Sequence, residues 1–440
     1  MLKFKWEKYL KKTEIEEIPE EWVISNLGNR NYFDIIPSGI DKFSGTKEYL
    51  STRSVQEAEI TEIEEVITFS KRPSRANMQP VEDSVWLARM INSLKVLKAD
   101  EDLIKNKILS TGFLGIKTKE NYLADYLYYY FLTPQFQEYK DSGYVTGGVQ
   151  ESLTSQGAEL LPVPILDINE QYRITTVLSW LDRLIKNKKR QIETLEKTAS
   201  AIFKGWFIDF EPFKNRKFVT SKIGKIPCSW EIKPIGEIAD LKNGFPYKSE
   251  EKFSEPIDES YAFINLNNVT QSGNFKADYA WIKSDRLSEN HFLEEGDLIV
   301  ANVHFGVGGA EIERLLGAPA LVTFPDEYEL KKAAYSMDIT RILPAHNRYV
   351  FYLYLYLKFT KEDSASFSTG TSVLHLDIGN FKLNKLILKP SDQILDKFDE
   401  LVRPLFQKIV VNQKQIMTLR KTFDSLLPLL IFGKLRVESL

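Results

Sequence analysis

The sequence has one cysteine, Cys228, four histidines, and no apolar run long enough to cross a bilayer. Each shortage closes a class of function. A lone cysteine can form neither an internal disulfide nor a cysteine-based zinc site, which fits a reducing compartment. His291, His304, His346 and His375 are scattered, without the spacing that sets two imidazoles on one helix face around a metal. The N-terminus, with Lys3, Lys5, Glu7 and Lys8, lacks the apolar stretch of a signal peptide, and a membrane helix would need roughly 18 to 20 apolar residues. The chain is therefore expected in the cytoplasm, away from membranes. A large excess of one charge is also missing. The net charge of −3 argues neither for nor against nucleic acid, because it describes the long-range field rather than a local surface.

Catalytic signatures are incomplete. Phe305-Gly306-Val307-Gly308-Gly309 follows a strand-like run, Leu298 to Ala301, as the S-adenosylmethionine loop of methyltransferases does. No Asn-Pro-Pro-Tyr or Asp-Pro-Pro-Tyr element accompanies it to grip a flipped base. Pro325-Asp326 and Glu329-Leu330-Lys331 have the residue types of a metal-dependent nuclease core. They stand too close together to come from two neighbouring strands and share a metal. Gly39 to Lys47 lacks the spacing of a phosphate loop. No catalytic and no metal-ligating residue is assigned, and the chain reads as a binder.

What is present is repetition. In 440 residues, 43% apolar, there is room for two or three domains with real cores. Ile18-Pro19-Glu20-Glu21-Trp22 recurs as Ile226-Pro227-Cys228-Ser229-Trp230, and Leu27-Gly28 as Ile235-Gly236. Thr146-Gly147-Gly148, followed by Leu153, recurs as Thr369-Gly370-Thr371, followed by Leu376. A duplicated chain should present two similar faces to a partner with two similar halves.

Each copy ends in a heptad. Ile174, Leu178, Leu181, Ile185, Lys188, Ile192, Leu195, Ala199, Ile202 and Trp206 alternate steps of four and three. Leu395, Phe398, Val402, Leu405, Ile409, Asn412, Ile416, Leu419, Phe423, Leu426 and Leu430 repeat the pattern. The polar exceptions, Lys188 and Asn412, stand 224 residues apart, the offset that also relates Leu181 to Leu405. A polar residue at a core position costs stability but fixes register, so an antiparallel pairing should bring these two together as coiled-coil register residues. Pro404 inside the second pattern removes a backbone hydrogen bond and should bend that rod.

The rest of each half reads as mixed α/β. Strand-like runs include Val66 to Phe69, Lys107 to Leu109, Leu298 to Val300 and Leu321 to Phe324, bounded by turn formers. Aromatic helical stretches, Tyr122 to Phe136 and Tyr349 to Phe359, read as core rather than as stacking surfaces. Local basic clusters occur at Lys71, Arg72 and Arg75, at Lys186 to Arg190, and in a connector with Lys214, Arg216, Lys217, Lys222 and Lys225.

The order of these elements, with Leu161-Pro162-Val163-Pro164-Ile165-Leu166, Asn169-Glu170-Gln171, Phe203-Lys204-Gly205-Trp206-Phe207 and the tail Gly433-Lys434-Leu435-Arg436-Val437, resembles the specificity subunit of type I restriction-modification systems. The resemblance covers almost the whole chain. It implies an α/β (α+β) fold with two globular target-recognition domains, separated by two long helices that form an antiparallel coiled coil, as a pseudo-two-fold internal repeat. The boundaries expected are residues 1–165 for the first recognition domain, 166–208 for the first long helix, 209–225 for a connector, 226–390 for the second recognition domain, and 391–440 for the second helix and tail. The second copy departs from the family, with Asn384-Lys385-Leu386 and Ser391-Asp392-Gln393 in place of the proline-rich turn and the Glu-Gln pair.

The same resemblance implies a non-catalytic subunit that recognises a bipartite, asymmetric sequence in double-stranded DNA. Its implied partners are two methyltransferase subunits and motor-nuclease subunits, which hold the S-adenosylmethionine, ATP and magnesium. About 38 helical residues at 1.5 Å each make a rod of nearly 60 Å, so half-sites about a turn or more apart are expected.

Base contacts are expected from Arg72, Arg75, Asn77 and Gln79, since arginine pairs with guanine and Asn or Gln with adenine. The family pattern adds Tyr247 and Lys248, Asn302 and His304, and Thr369, Thr371 and Ser372, with Tyr144 and Gln150 in the matching loop of the first half. Lysines there would touch phosphate, which positions without reading sequence. The alternative is a coiled-coil scaffold whose globular halves bind protein, without sequence-specific DNA binding, which would also explain the duplication and the helices.

Overall fold

A computed structural model describes residues 3–143, 145–146, 152–270, 273–305, 315–326, 330–370 and 373–439; the side chains at 143, 145, 146, 304 and 305 are not described. The chain forms two compact units, Met1–Leu184 with Leu419–Leu440, and Ile185–Thr418. Two 40-residue helices, Ile168–Phe207 and Asp392–Ile431, contribute one part to each unit.

The units repeat one strand plan. In the first, one sheet runs in the order Val96–Lys98, Ser84–Ala88, Phe113–Thr118, Phe33–Ile36. The second has the same order in Pro319–Leu321, Leu298–Ala301, Ile339–Pro344, Ala239–Asn243. A further sheet in each unit centres on a parallel pair, Lys107–Ser110 beside Lys47–Leu50 and Ala333–Tyr335 beside Tyr261–Ile264. Close backbone approach fixes glycine at two places. A Cβ on Gly115 would sit 2.5 Å from the buried Trp86 ring, and one on Gly244 would sit 2.2 Å from the Ser336 carbonyl.

The repeated Ile-Pro-x-x-Trp element is a turn. Trp22 N donates to Pro19 O and Trp230 N to Pro227 O, each at 3.0 Å, and both indoles and both isoleucines are buried. The strand that follows pairs with the strand leading into the long helix, Val23–Asn26 with Pro162–Ile165 and Glu231–Pro234 with Leu386–Lys389. The Pro162 to Pro164 segment is thus a strand rather than a turn; its prolines are tolerated because it lies at an edge. Loss of those prolines in the second copy leaves the pairing intact.

The aromatic stretches are core. Tyr126, Tyr130 and Phe131 are fully buried in the first unit, and Tyr352 in the second. Tyr130 OH donates to Pro162 O at 2.6 Å and Tyr356 OH to Leu386 O at 3.3 Å, so each aromatic helix ties down the same strand. The first stretch is two helices, Ala124–Phe131 and Pro134–Gly143, where one was expected, with Pro134 opening the second. The run Leu321 to Phe324 is strand only at Leu321, and the connector holds a hairpin, Phe218–Ser221 with Gly224–Pro227.

The long helices pack antiparallel within each unit. In the second unit Phe207 meets Phe398 at 4.9 Å between ring centroids, while Lys188 meets Asn412. In the first, Ile174, Val177 and Leu178 share a core with Phe423, Leu427 and Leu430. Burial extends beyond the heptads to Val177 and Leu427 in the first unit and to Phe203 and Phe406 in the second, because the globular parts cover a second face of each helix. The second helix continues through Pro404 and Pro428. No helix among the described residues is long and apolar enough to cross a membrane.

Candidate nucleic-acid interface

In the first unit Arg72 and Arg75 precede the strand Ala76–Met78, and Asn77 lies on it. Arg72 is committed locally. Its guanidinium lies over the Phe69 ring, 4.5 Å from the centroid, and donates to the Phe69 carbonyl. Asn77 Nδ2 donates to Ser38 Oγ at 3.0 Å. Arg75 is exposed, and it lines a cavity of about 550 Å³ with Tyr49, Ser51, Thr52, Arg53 and Glu64. Arg53, which the sequence reading passed over, is held there by Glu62 at 3.3 Å and Glu64 at 2.5 Å. Gln79 is half-buried just beyond the strand.

In the second unit two of the expected segments converge on one turn, residues 336–338. Met337 N donates to Phe245 O at 3.0 Å, two residues before Tyr247, and Asn302 Nδ2 donates to Met337 O at 3.1 Å. Tyr247 is half-buried edge-on against Phe263, and burial raises its pKa. Lys248 is exposed, its ammonium 4.0 Å from Glu250. Thr369 is exposed on the strand Ser368–Thr369, which pairs with Val373–Leu376; that strand in turn pairs with Val303–Phe305, which carries His304. Tyr144, Gln150, Thr371 and Ser372 lie outside the described residues.

Lys188 and Asn412 meet within the second unit. Lys188 Nζ donates to Asn412 Oδ1 at 3.4 Å, and Asn412 Nδ2 donates to Gln191 Oε1 at 3.2 Å. Asn412 is completely buried, so both amide atoms need these partners. Among the described residues no three His, Cys, Asp or Glu side chains gather as metal ligands would.

The Asn169-Glu170-Gln171 motif is structural. Gln171 Oε1 accepts from Leu123 N at 2.8 Å while its Nε2 donates to Leu166 O at 3.1 Å. Glu170 accepts from the Trp22 indole at 3.1 Å and pairs with Arg436 of the tail, so three separated motifs converge on one carboxylate. Burial pushes the Glu170 carboxyl up, against the pull of Arg436 and Trp22.

Comparison with known proteins gives this framework a family. The chain is 30% identical over 450 residues, all of its own length and 99% of the relative's, to the MjaIX specificity subunit of a type I restriction enzyme from Methanocaldococcus jannaschii. The chain belongs to the type I restriction enzyme specificity subunits. It is also 24% identical over 340 residues to the MjaVIII specificity subunit of the same organism, covering 76% of each. Identity is 25% over 395 residues with the HindI specificity subunit of Haemophilus influenzae, covering 78% of this chain and 84% of that one. No family model matches. Among solved structures, the S subunit of a type I restriction-modification system from M. genitalium shares the fold, with a TM-score of 0.50 at 16% identity over 96% of this chain and 99% of that one.

Proposed function

We propose that this specificity subunit recognises a bipartite, asymmetric sequence in double-stranded DNA, one half-site for each globular half. It would scaffold two methyltransferase subunits and the motor-nuclease subunits of a type I complex. On this reading the chain contributes recognition and no chemistry; S-adenosylmethionine, ATP and magnesium belong to the partners. The observation that carries the proposal is a single backbone plan present twice, in two halves whose sequences share little beyond the repeated motifs. Two readers of different sequence on one frame require such a combination. The antiparallel helices would set the distance between half-sites, with Lys188 and Asn412 fixing their register.

Base contacts are assigned to Arg75 and Gln79 in the first half and to Tyr247, His304 and Thr369 in the second, and the family pattern adds Tyr144, Gln150, Thr371 and Ser372; Asn302, buried with its Nδ2 on the Met337 carbonyl, must leave that partner to reach a base. Arg72 and Asn77, tied to Phe69 and Ser38, must exchange those partners to reach a base. Lys248 is assigned to phosphate. Selection from random DNA by the chain, with and without its methyltransferase partner, tests the proposal. Enrichment of two short motifs at a fixed separation supports it; no enrichment even with the partner present contradicts it and favours a scaffold that binds only protein.

A further inference from the structure

Each globular half carries a short hairpin ahead of its long helix, and both hang on the same backbone bond. In the first half Leu153 N donates to Arg89 O at 2.8 Å, and Met90 bridges to Ser152. In the second, Leu376 N donates to Asn302 O at 2.7 Å, and Val303 pairs with His375. Arg89 and Asn302 directly follow the strands Ser84–Ala88 and Leu298–Ala301, which hold the same place in the repeated sheet. They are one position of the repeat with two chemistries.

Arg89 turns its guanidinium onto the hairpin. Nη1 donates to Leu153 O at 3.0 Å and Nη2 to Ser155 Oγ at 3.2 Å, on the limb leaving the hairpin. Burial lowers its pKa with no opposing carboxylate among the described residues. Lys140 acts from the other limb, on the helix Pro134–Gly143 that leads into the hairpin. Its side chain is 1% exposed, and its ammonium donates to Ser93 O at 3.2 Å and Met90 O at 3.5 Å, with Asp141 at 3.4 Å. Two charged donors therefore fasten both limbs to the segment 89–93. A fork of two hydrogen bonds from one planar group fixes an angle as well as a distance.

Asn302 does not reach its hairpin. Its Nδ2 turns instead to Met337 O, and its Oδ1, on a side chain 5% exposed, has no hydrogen-bond partner among the described residues. Among the described residues, the second hairpin thus lacks the side-chain tie that the first receives from the matching position.

We propose that Arg89, with Lys140 behind it, is a positioning residue that determines specificity in the first half, by fixing the angle of the paired strands Val145–Thr146 and Ser152–Leu153 without touching DNA. The inference rests on the DNA-reading function proposed above. A reading element displaced by a fraction of an ångström loses discrimination while its contacts persist.

The test is base preference at every position of both half-sites, read by sequencing DNA selected by the complex with its methyltransferase partner, for the native chain, R89A, R89K and S155A. In R89A, discrimination at one half-site should fall about ten-fold, the cost of roughly one mismatch, while the other half-site and the salt dependence of binding stay unchanged. R89K should recover part of the loss. S155A, at an exposed site that does not support the core, should shift the same positions less, and it decides the matter if R89A does not fold. Equal loss at both half-sites overturns the proposal. So does an unchanged preference with weaker binding and a salt slope lower by about one, which would make Arg89 a phosphate contact. If the native complex selects no bipartite motif, the DNA-reading proposal falls first and takes this one with it.

Discussion

Trp22 and Trp230 open the same motif in the two halves and have different surroundings. The Trp22 indole donates to Glu170, whose charge is balanced by Arg436; Arg436 also reaches Glu7 at 2.9 Å and Glu21 at 2.7 Å. Trp230 stands among Phe207, Phe210 and Phe213, and its buried Nε1 has no partner among the described residues. A hydrogen bond to a charged group contributes about 1.5–3 kcal/mol, whereas an unsatisfied buried donor costs about 1–3 kcal/mol. W22F should therefore destabilise its unit by about 2.5–6 kcal/mol more than W230F destabilises the other, measured by chemical denaturation; equal losses would contradict this contrast. Glu251 allows a second prediction. Hydrogen bonds from Arg286, Ser284 and the Lys248 backbone lower its carboxyl to about 2. Because the folded value lies below the unfolded one, its stabilisation is complete above the ordinary carboxylate range and is lost as pH falls toward 2. Carbon-13 titration should give a midpoint near 2 in the native chain, and one near 4 would contradict it. Neither feature was legible in the sequence: the repeated motif announces both tryptophans but not that one tail supplies an arginine and the connector supplies phenylalanines.

The long helices were the most legible elements, because a heptad is a local pattern and 40 residues of it survive two prolines. Even the meeting of Lys188 with Asn412 follows from matching offsets once the helices run antiparallel. Replacing a buried polar pair with leucine generally leaves stability unchanged or raises it by about 1–4 kcal/mol while weakening register. The double variant K188L/N412L should thus melt at or above the native temperature, yet form disulfides between cysteines placed one heptad out of register. A lower melting temperature with unchanged register would contradict this role. The hairpin roots were not legible. Arg89 binds residues 64 and 66 positions away, and nothing in its neighbourhood marks it apart from its place after a strand. The repeated sheet order is the signal that finds it, since it sets Arg89 opposite Asn302. The prolines at 162 and 164 misled in the opposite direction, reading as a turn where an edge strand tolerates them.

Across the whole molecule, the repeat divides into a constant frame and variable segments, the proposed readers. The turn at Ile-Pro-x-x-Trp, the strand beside the long helix, the sheet order and the hairpin bond recur. The side chains expected to face DNA do not. If the helices act as a ruler, one heptad inserted into each adds about 10 Å of rise. That equals about three base pairs of duplex at 3.4 Å each, so the spacer of the target should lengthen by about three while both half-sites keep their bases. The native target comes before that experiment. Long-read mapping of adenine methylation in cells that express the chain with its methyltransferase partner reads the proposed specificity directly. The account predicts two different short motifs separated by a fixed number of unread base pairs; a single contiguous motif, or methylation without sequence preference, would contradict it.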